Sequence, residues 1–151
     1  RFVLRSIRDR ALAEELYQEI WMRVIEARGR YQQQAKFTTW LYTVAHNRLV
    51  DHWRKRGLQL VSLDQEEAER LEPRAGAEHE PDRVLEAKQG LARFAHALET
   101  LPPAQREAFL LHEEAGMSVA EIARATGANE EAAKSRLRYA LSKLREAAGD
   151  D

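Results

Sequence analysis

Between Leu12 and Ile25, apolar residues recur at three- and four-residue spacing. Ala13, Leu16, Tyr17, Ile20, Trp21, Val24 and Ile25 all fall on one side of a helix and predict one buried face. Gly29 closes this run, and the aperiodic stretch from Arg30 to Lys36, with Gln32, Gln33 and Gln34 inside it, predicts an exposed polar loop. A second helix is predicted from about Thr38 to Arg56, stopped by Gly57. It turns Leu41, Val44, Ala45 and Leu49 inward and leaves Tyr42, His46, Asn47, Val50, Trp53 and Arg54 on other faces. The C-terminal part predicts four helices, at about 82–100, 104–115, 118–126 and 130–147, separated by Pro102-Pro103, Gly116 and Gly127. Ser118 and Glu121 fit a capping box, and Asn129 can cap the last helix. Strand-like alternation is absent from the sequence, so the predicted fold class is all-α.

Composition adds a domain boundary. The 151 residues are 44% hydrophobic and 32% charged, enough apolar content for packed cores and too much for a wholly disordered chain. The net charge of -1 conceals an uneven distribution: residues 1–57 carry 12 Lys/Arg against 6 Asp/Glu, and residues 58–81 carry 2 against 7. The acidic stretch is poor in apolar residues and broken by Pro73, Gly76 and Pro81, so it predicts a flexible linker between domains at 1–57 and 82–148. A basic module beside an acidic connector suggests a partner that is a polyanion. With no cysteine the chain suits a reducing cytoplasm, and no apolar run reaches the roughly 18 residues of a membrane span. No membrane insertion is expected.

The strongest local signal runs from Met117 to Leu144. A short helix holding Ile122 and Ala123, a turn at Gly127 and a longer basic helix make a helix-turn-helix. In the longer helix Ala133, Leu137, Ala140, Leu141 and Leu144 form the buried stripe, while Lys134, Ser135, Arg138, Tyr139 and Ser142 share another face. Between Ala132 and Arg145 there are five Lys/Arg and no acid, which predicts phosphate attraction along the whole helix. Lys134, Ser135 and Arg138 are the base-edge candidates; Arg136, Lys143 and Arg145 are the phosphate candidates. A protein-binding helical hairpin with a solvated basic face is the plain alternative.

Two blocks carry a family resemblance. Residues Ala13–Glu19 (AEELYQE) and Phe37–Asn47 (FTTWLYTVAHN) resemble region 2 of the extracytoplasmic-function σ factors, and Leu101–Glu107 (LPPAQRE) with Met117–Arg145 resembles their region 4. The resemblance covers nearly all of the chain outside 58–81. It implies a protein without catalysis of its own that gives core RNA polymerase its choice of promoter. The implied partners are the polymerase β′ coiled coil and β flap, promoter DNA and, in many members, an anti-σ factor.

Carried over residue by residue, the resemblance places Glu15, Gln18 and Glu19 in the motif that grips the β′ coiled coil. With Met22 they fall at i, i+3, i+4 and i+7, one stripe of a helix, although ordinary helix surface looks the same. It places capture of an unstacked base of the minus-10 element at about residues 30–36 and on Thr39, Thr43, His46, Asn47 and Val50. Tyr31, Lys36, Tyr42, Trp53 and Arg54 supply stackable and basic groups in the same segment, and Phe37 and Trp40 are expected in the core. The region 4 helix is then the reader of the minus-35 element.

Departures from the family pattern qualify these expectations. Thr43-Val44 stands where primary σ factors carry an adjacent Trp pair, which implies weak strand melting. Tyr139-Ala140-Leu141 replaces the common Arg-Ala-Arg, and each lost guanine-reading Arg would remove about 1–3 kcal/mol of discrimination. Tyr139 is left to pack on a thymine methyl or to contact a phosphate. Family members carry a further helix ahead of the point matching Arg1, so the chain reads as truncated or processed. Control by an anti-σ factor, or by phosphorylation at a residue such as Thr38 or Thr39, stays open.

Rival classes are weaker. His46 and His52 lie roughly 240° apart around a helix and do not face one metal. The segment His112-Glu113-Glu114 lacks the second His of a zinc-protease motif. No Gly-rich phosphate loop or nucleophile elbow exists, so no enzyme, cofactor or metal site is expected. A stand-alone helix-turn-helix regulator would use the same Lys134–Arg145 helix without polymerase, and a protein-binding scaffold would use neither surface for DNA. The σ reading locates the chain in the cytoplasm, on the nucleoid.

Overall fold

A computed structural model describes residues 1–34, 36–57 and 83–149. Among these every regular element is helical: α1 (Phe2–Ser6), α2 (Arg10–Ala27), a 3₁₀ turn (Arg28–Arg30), α3 (Phe37–Lys55), α4 (Arg83–Thr100), α5 (Pro103–Ala115), α6 (Val119–Thr126) and α7 (Glu130–Ala148). The all-α expectation holds, and the linker expected at 58–81 lies outside the described residues.

Local chemistry sets the helix ends. Asp9 accepts the Leu12 N–H at 3.2 Å to start α2, and Asn129 accepts the Ala132 N–H at 2.8 Å to start α7. Ser118 accepts the Glu121 N–H at 3.2 Å to start α6, but only this half of the capping box forms. The Glu121 carboxylate instead takes the Ser118 hydroxyl and the Lys36 ammonium, both at 3.3 Å. Gly116 (φ 64°) and Gly127 (φ 65°) end α5 and α6 in the left-handed region, where a side chain would be strained. The 5-residue α1 is too short to leave a period in the sequence. Burial of Phe2, Val3 and Ile7 holds it in place, with Phe2 edge-on to Tyr42 at 5.1 Å.

Ala13, Leu16, Ile20 and Val24 of α2 are buried, as are Ala45, Leu49 and Trp53 of the adjoining α3. Tyr17, Trp21 and Ile25, expected on the buried face, are 53%, 39% and 57% exposed. The arc of α2 that its neighbours α1 and α3 cover is narrower than its apolar arc. On α3 the mismatch runs the other way. That helix packs against both α2 and α6, so its buried arc takes in Thr39 and Trp53, while Leu41 and Val44 are only partly buried. In the second half α4, α5 and α6 enclose α7, burying Leu110, Leu111, Met117, Ile122, Ala133, Leu137, Ala140 and Leu144.

The halves meet where α1 packs on α5 and α3 on α6. Polar groups mark this contact. Arg106 donates to the carbonyls of Ser6 (3.2 Å), Glu99 (3.0 Å) and Leu101 (2.8 Å), and its burial pushes the guanidinium pKa down. Arg5 pairs with Glu114 at 2.7 Å and Arg8 with Glu99 at 2.9 Å.

Candidate nucleic-acid and partner-binding surfaces

On α2 the candidates Glu15, Gln18 and Met22 are exposed, Met22 at 61%. Glu19 is half-buried and accepts a hydrogen bond from Nε of Arg48 on α3. That bond, with Arg23 and Lys55 nearby, holds the Glu19 carboxyl below the usual carboxylate range. Arg23 donates through both terminal nitrogens to Asp51 at 3.2 Å, a second tie between the helices. Tyr17 and Trp21 pack edge-on with ring centroids 6.2 Å apart. Together with Ile25 they extend the candidate stripe into a continuous apolar patch one side of which is Gln18 and Met22. Periodicity predicts these rings in the core, but α1 and α3 cover a narrower arc of α2 and leave them exposed.

The minus-10 candidates divide into three groups. Tyr31, Lys36, Asn47 and Arg54 lie at or near the surface. Tyr31 joins a cluster with Phe37 (5.7 Å) and Trp40 (5.2 Å), and Phe37 lies 5.8 Å from Trp40. Phe37 is 48% exposed, which corrects its expected place in the core; it starts α3 beside the loop, in contact with the other two rings. Thr39, Thr43, His46 and Val50 form the second group. Thr39 is buried, Thr43 donates to the Thr39 carbonyl at 2.7 Å, and His46 Nδ1 lies 2.7 Å from Glu107 Oε1 of α5. Trp53 and Tyr42 are the third group, with Trp53 buried and Tyr42 partly buried so that its hydroxyl pKa is raised.

On α7 Lys134, Arg138, Tyr139 and Arg145 are exposed, and Ser135, Arg136 and Lys143 are half-buried. The Arg138 guanidinium lies 5.2 Å from the Tyr139 ring centroid, a cation–π contact that steadies both side chains. Lys143 pairs with Glu146 at 3.5 Å, and Ser142 donates to the same carboxylate at 3.4 Å. The basic run is therefore partly compensated at its C-terminal end, because Glu146 reaches back one turn. Among the described residues no group of three or more His, Cys, Asp or Glu is placed to hold a metal ion, and no helix is long and apolar enough to cross a membrane.

An exposed apolar patch on α2 and an aromatic cluster at the head of α3 lie in the first half of the chain, and a helix-turn-helix lies in the second. The family models agree: "Sigma-70 region 2" matches residues 1–59 and "Sigma-70, region 4" matches residues 91–144. The chain belongs to the σ70 family, as an alternative σ factor of the extracytoplasmic-function type that directs promoter-specific initiation. RNA polymerase sigma factor CarQ of Myxococcus xanthus is 33% identical over 99% of this chain and 82% of its own length. ECF RNA polymerase sigma factor BldN of Streptomyces coelicolor is 32% identical over 100% of this chain and 56% of its own length. Among solved structures, the sigma factor RpoE in complex with the anti-sigma factor NepR from Bartonella quintana matches with TM-score 0.72 at 25% identity, over 99% of this chain and 89% of that one. A stand-alone helix-turn-helix regulator has no use for region 2, and that alternative is not favoured.

Proposed function

We propose that the chain binds core RNA polymerase through α2, holds the opened minus-10 strand with the 30–54 segment and reads the minus-35 duplex with α7. The observation that carries the first step is the exposed patch Tyr17, Trp21, Met22 and Ile25 beside Glu15 and Gln18. Aromatic and Met side chains rimmed by polar ones are what a protein-binding hot spot is made of. The β′ coiled coil is the assigned occupant, with Glu19 supporting the patch from its bond to Arg48. The β flap takes the region 4 side.

Tyr31, Phe37 and Trp40 provide ring faces for an unstacked base, and Lys36, Asn47 and Arg54 provide polar and cationic groups. Lys134, Ser135 and Arg138 read base edges in the major groove, while Arg136, Lys143, Arg145 and Tyr139 hold the backbone. The working units are region 2 at 1–57 and region 4 at 82–148, joined by the acidic linker at 58–81. Phosphoryl transfer belongs to polymerase, and the site of action is the nucleoid in the cytoplasm. Similarity to a σ factor crystallised with its anti-σ factor supports control by such a partner.

Footprinting of core polymerase plus this chain on a responsive promoter tests the assignment. Protection of both elements only when polymerase is present is the expected result. Tight protection of a palindromic duplex by the chain alone would contradict it.

A further inference from the structure

Two acids, Glu130 and Glu131, open α7, and both are exposed. They leave the helix in different directions. Lys134, Ser135, Arg138 and Ser142 share an arc of about 100° opposite the buried stripe of Ala133, Leu137, Ala140 and Leu144, and Glu131 lies near the middle of that arc. Glu130 falls roughly 40° outside it. Acids in a first turn favour the positive end of the helix dipole, and Glu130 does so from the flank. The dipole accounts for the position of Glu131 but not for its direction. Among the described residues no cation pairs with the Glu131 carboxylate, although Lys134 is one turn on. The neighbouring Asn129 side chain is committed to the Ala132 N–H at 2.8 Å and is not available to a base. We infer that Glu131 is a specificity-determining residue of the minus-35 contact: its carboxylate accepts a hydrogen bond from the N4 amino group of a cytosine. The inference rests on the reading of α7 as the duplex-reading helix.

The chemistry of the major groove selects the base. In a helix-turn-helix the first residues of the recognition helix reach base edges. A carboxylate there is repelled by the phosphates on both sides of the groove, so it contributes only where a base offers it a donor. Guanine presents the acceptors N7 and O6, and thymine presents O4; both repel it. The donors are the amino groups of adenine and cytosine, and adenine sets its N7 acceptor beside its own. Cytosine gives the carboxylate a donor with no acceptor adjoining it on the same edge. Glu131 therefore works by excluding the other bases as much as by binding this one. Lys134 and Arg138, on the same arc, are cations suited to guanine, so one face of α7 carries readers for both bases of a G·C pair.

The test uses the whole chain with core polymerase, selecting duplexes from a responsive promoter whose minus-35 element is randomised and whose minus-10 element is kept. Glu131→Ala, Glu131→Gln, Glu130→Gln and Arg138→Ala are run beside the parent. Circular dichroism confirms that each stays helical. The expected result is one position at which the parent prefers cytosine by about tenfold. There Glu131→Ala loses the preference, and Glu130→Gln, which removes the same charge from the same helix end, keeps it. Glu131→Gln turns the preference to adenine, because an amide accepts from N6 while donating to N7. If Glu131→Ala keeps the parent's base preferences and binds all sequences more tightly alike, the acid only repels phosphate and the inference is overturned. A changed preference in Arg138→Ala would then leave the reading of α7 standing. Preferences unchanged in Arg138→Ala as well would overturn that reading along with it.

Discussion

Arg48 of α3 donates through Nε to the Glu19 carboxylate of α2, so the helix proposed to bind polymerase and the helix proposed to hold DNA share one charge-assisted bond. Glu19 is thus a support for the patch as much as a contact, and the exposed Glu15 and Gln18 meet the partner directly. Its lowered pKa means the bond's stabilisation is present above the ordinary glutamate value of 4.5 and is lost as pH falls through the lowered one. Arg48→Gln is expected to cost about 1 kcal/mol in a denaturant titration, given the exposure of Glu19. Affinity for core polymerase should fall, by less than with Glu15→Lys.

Tyr17→Ala and Trp21→Ala separate binding from folding. Both rings are exposed, so the unfolding midpoint should barely move, while affinity for core polymerase drops by about tenfold or more. A titration with labelled core polymerase reads this directly. Were the rings part of the core, the midpoint would fall instead.

Trp53 and Phe37 form a contrasting pair at the two ends of α3. Trp53 is 4% exposed, and Trp53→Ala is expected to cost about 3–5 kcal/mol, so any lost activity reflects unfolding. Phe37→Ala should leave thermal stability nearly intact and weaken strand capture in open-complex assays with polymerase, by about 1–3 kcal/mol for a lost stacking ring.

Arg138→Ala removes a base-edge donor and its cation–π contact with Tyr139 from an exposed face. Stability should hold, duplex affinity should fall by about 1–3 kcal/mol, and the preferred minus-35 base should change. Lys134→Ala and Arg145→Ala, measured in the same selection from randomised duplexes, distinguish a base reader from a phosphate contact by whether the sequence preference shifts.

His52 gives a pH test. Burial first, then the cations Arg56, Arg48 and Lys55, hold its pKa below the usual 6.5, so the folded state favours the neutral ring. Stability from this group is fully present above that value and is lost as pH falls through the lowered one. His52→Gln should flatten the decline in denaturant midpoint between about pH 7 and pH 5.

Much of this architecture is legible in the sequence because it is local. Helix bounds follow from apolar period and punctuation, Asn129 caps α7 as expected, and the α7 stripe of Ala133, Leu137, Ala140 and Leu144 is buried as its spacing predicts. What period cannot show is how many neighbours cover an apolar arc. For that reason Tyr17, Trp21 and Ile25 face outward and Trp53 inward. The His46–Glu107 pair spans 61 residues of sequence and depends on how the two halves dock, which no local pattern encodes. The Tyr31, Phe37 and Trp40 cluster similarly needs the loop to fold back before three separate rings become one surface.

The most direct test of the central claim is run-off transcription with purified core polymerase on a genomic promoter library, comparing this chain with Glu15→Lys and Arg138→Ala. Promoter-specific transcripts that vanish with Glu15→Lys and weaken or move to other promoters with Arg138→Ala are the predicted result. No binding to polymerase, together with tight binding of duplex DNA by the chain alone, would contradict it.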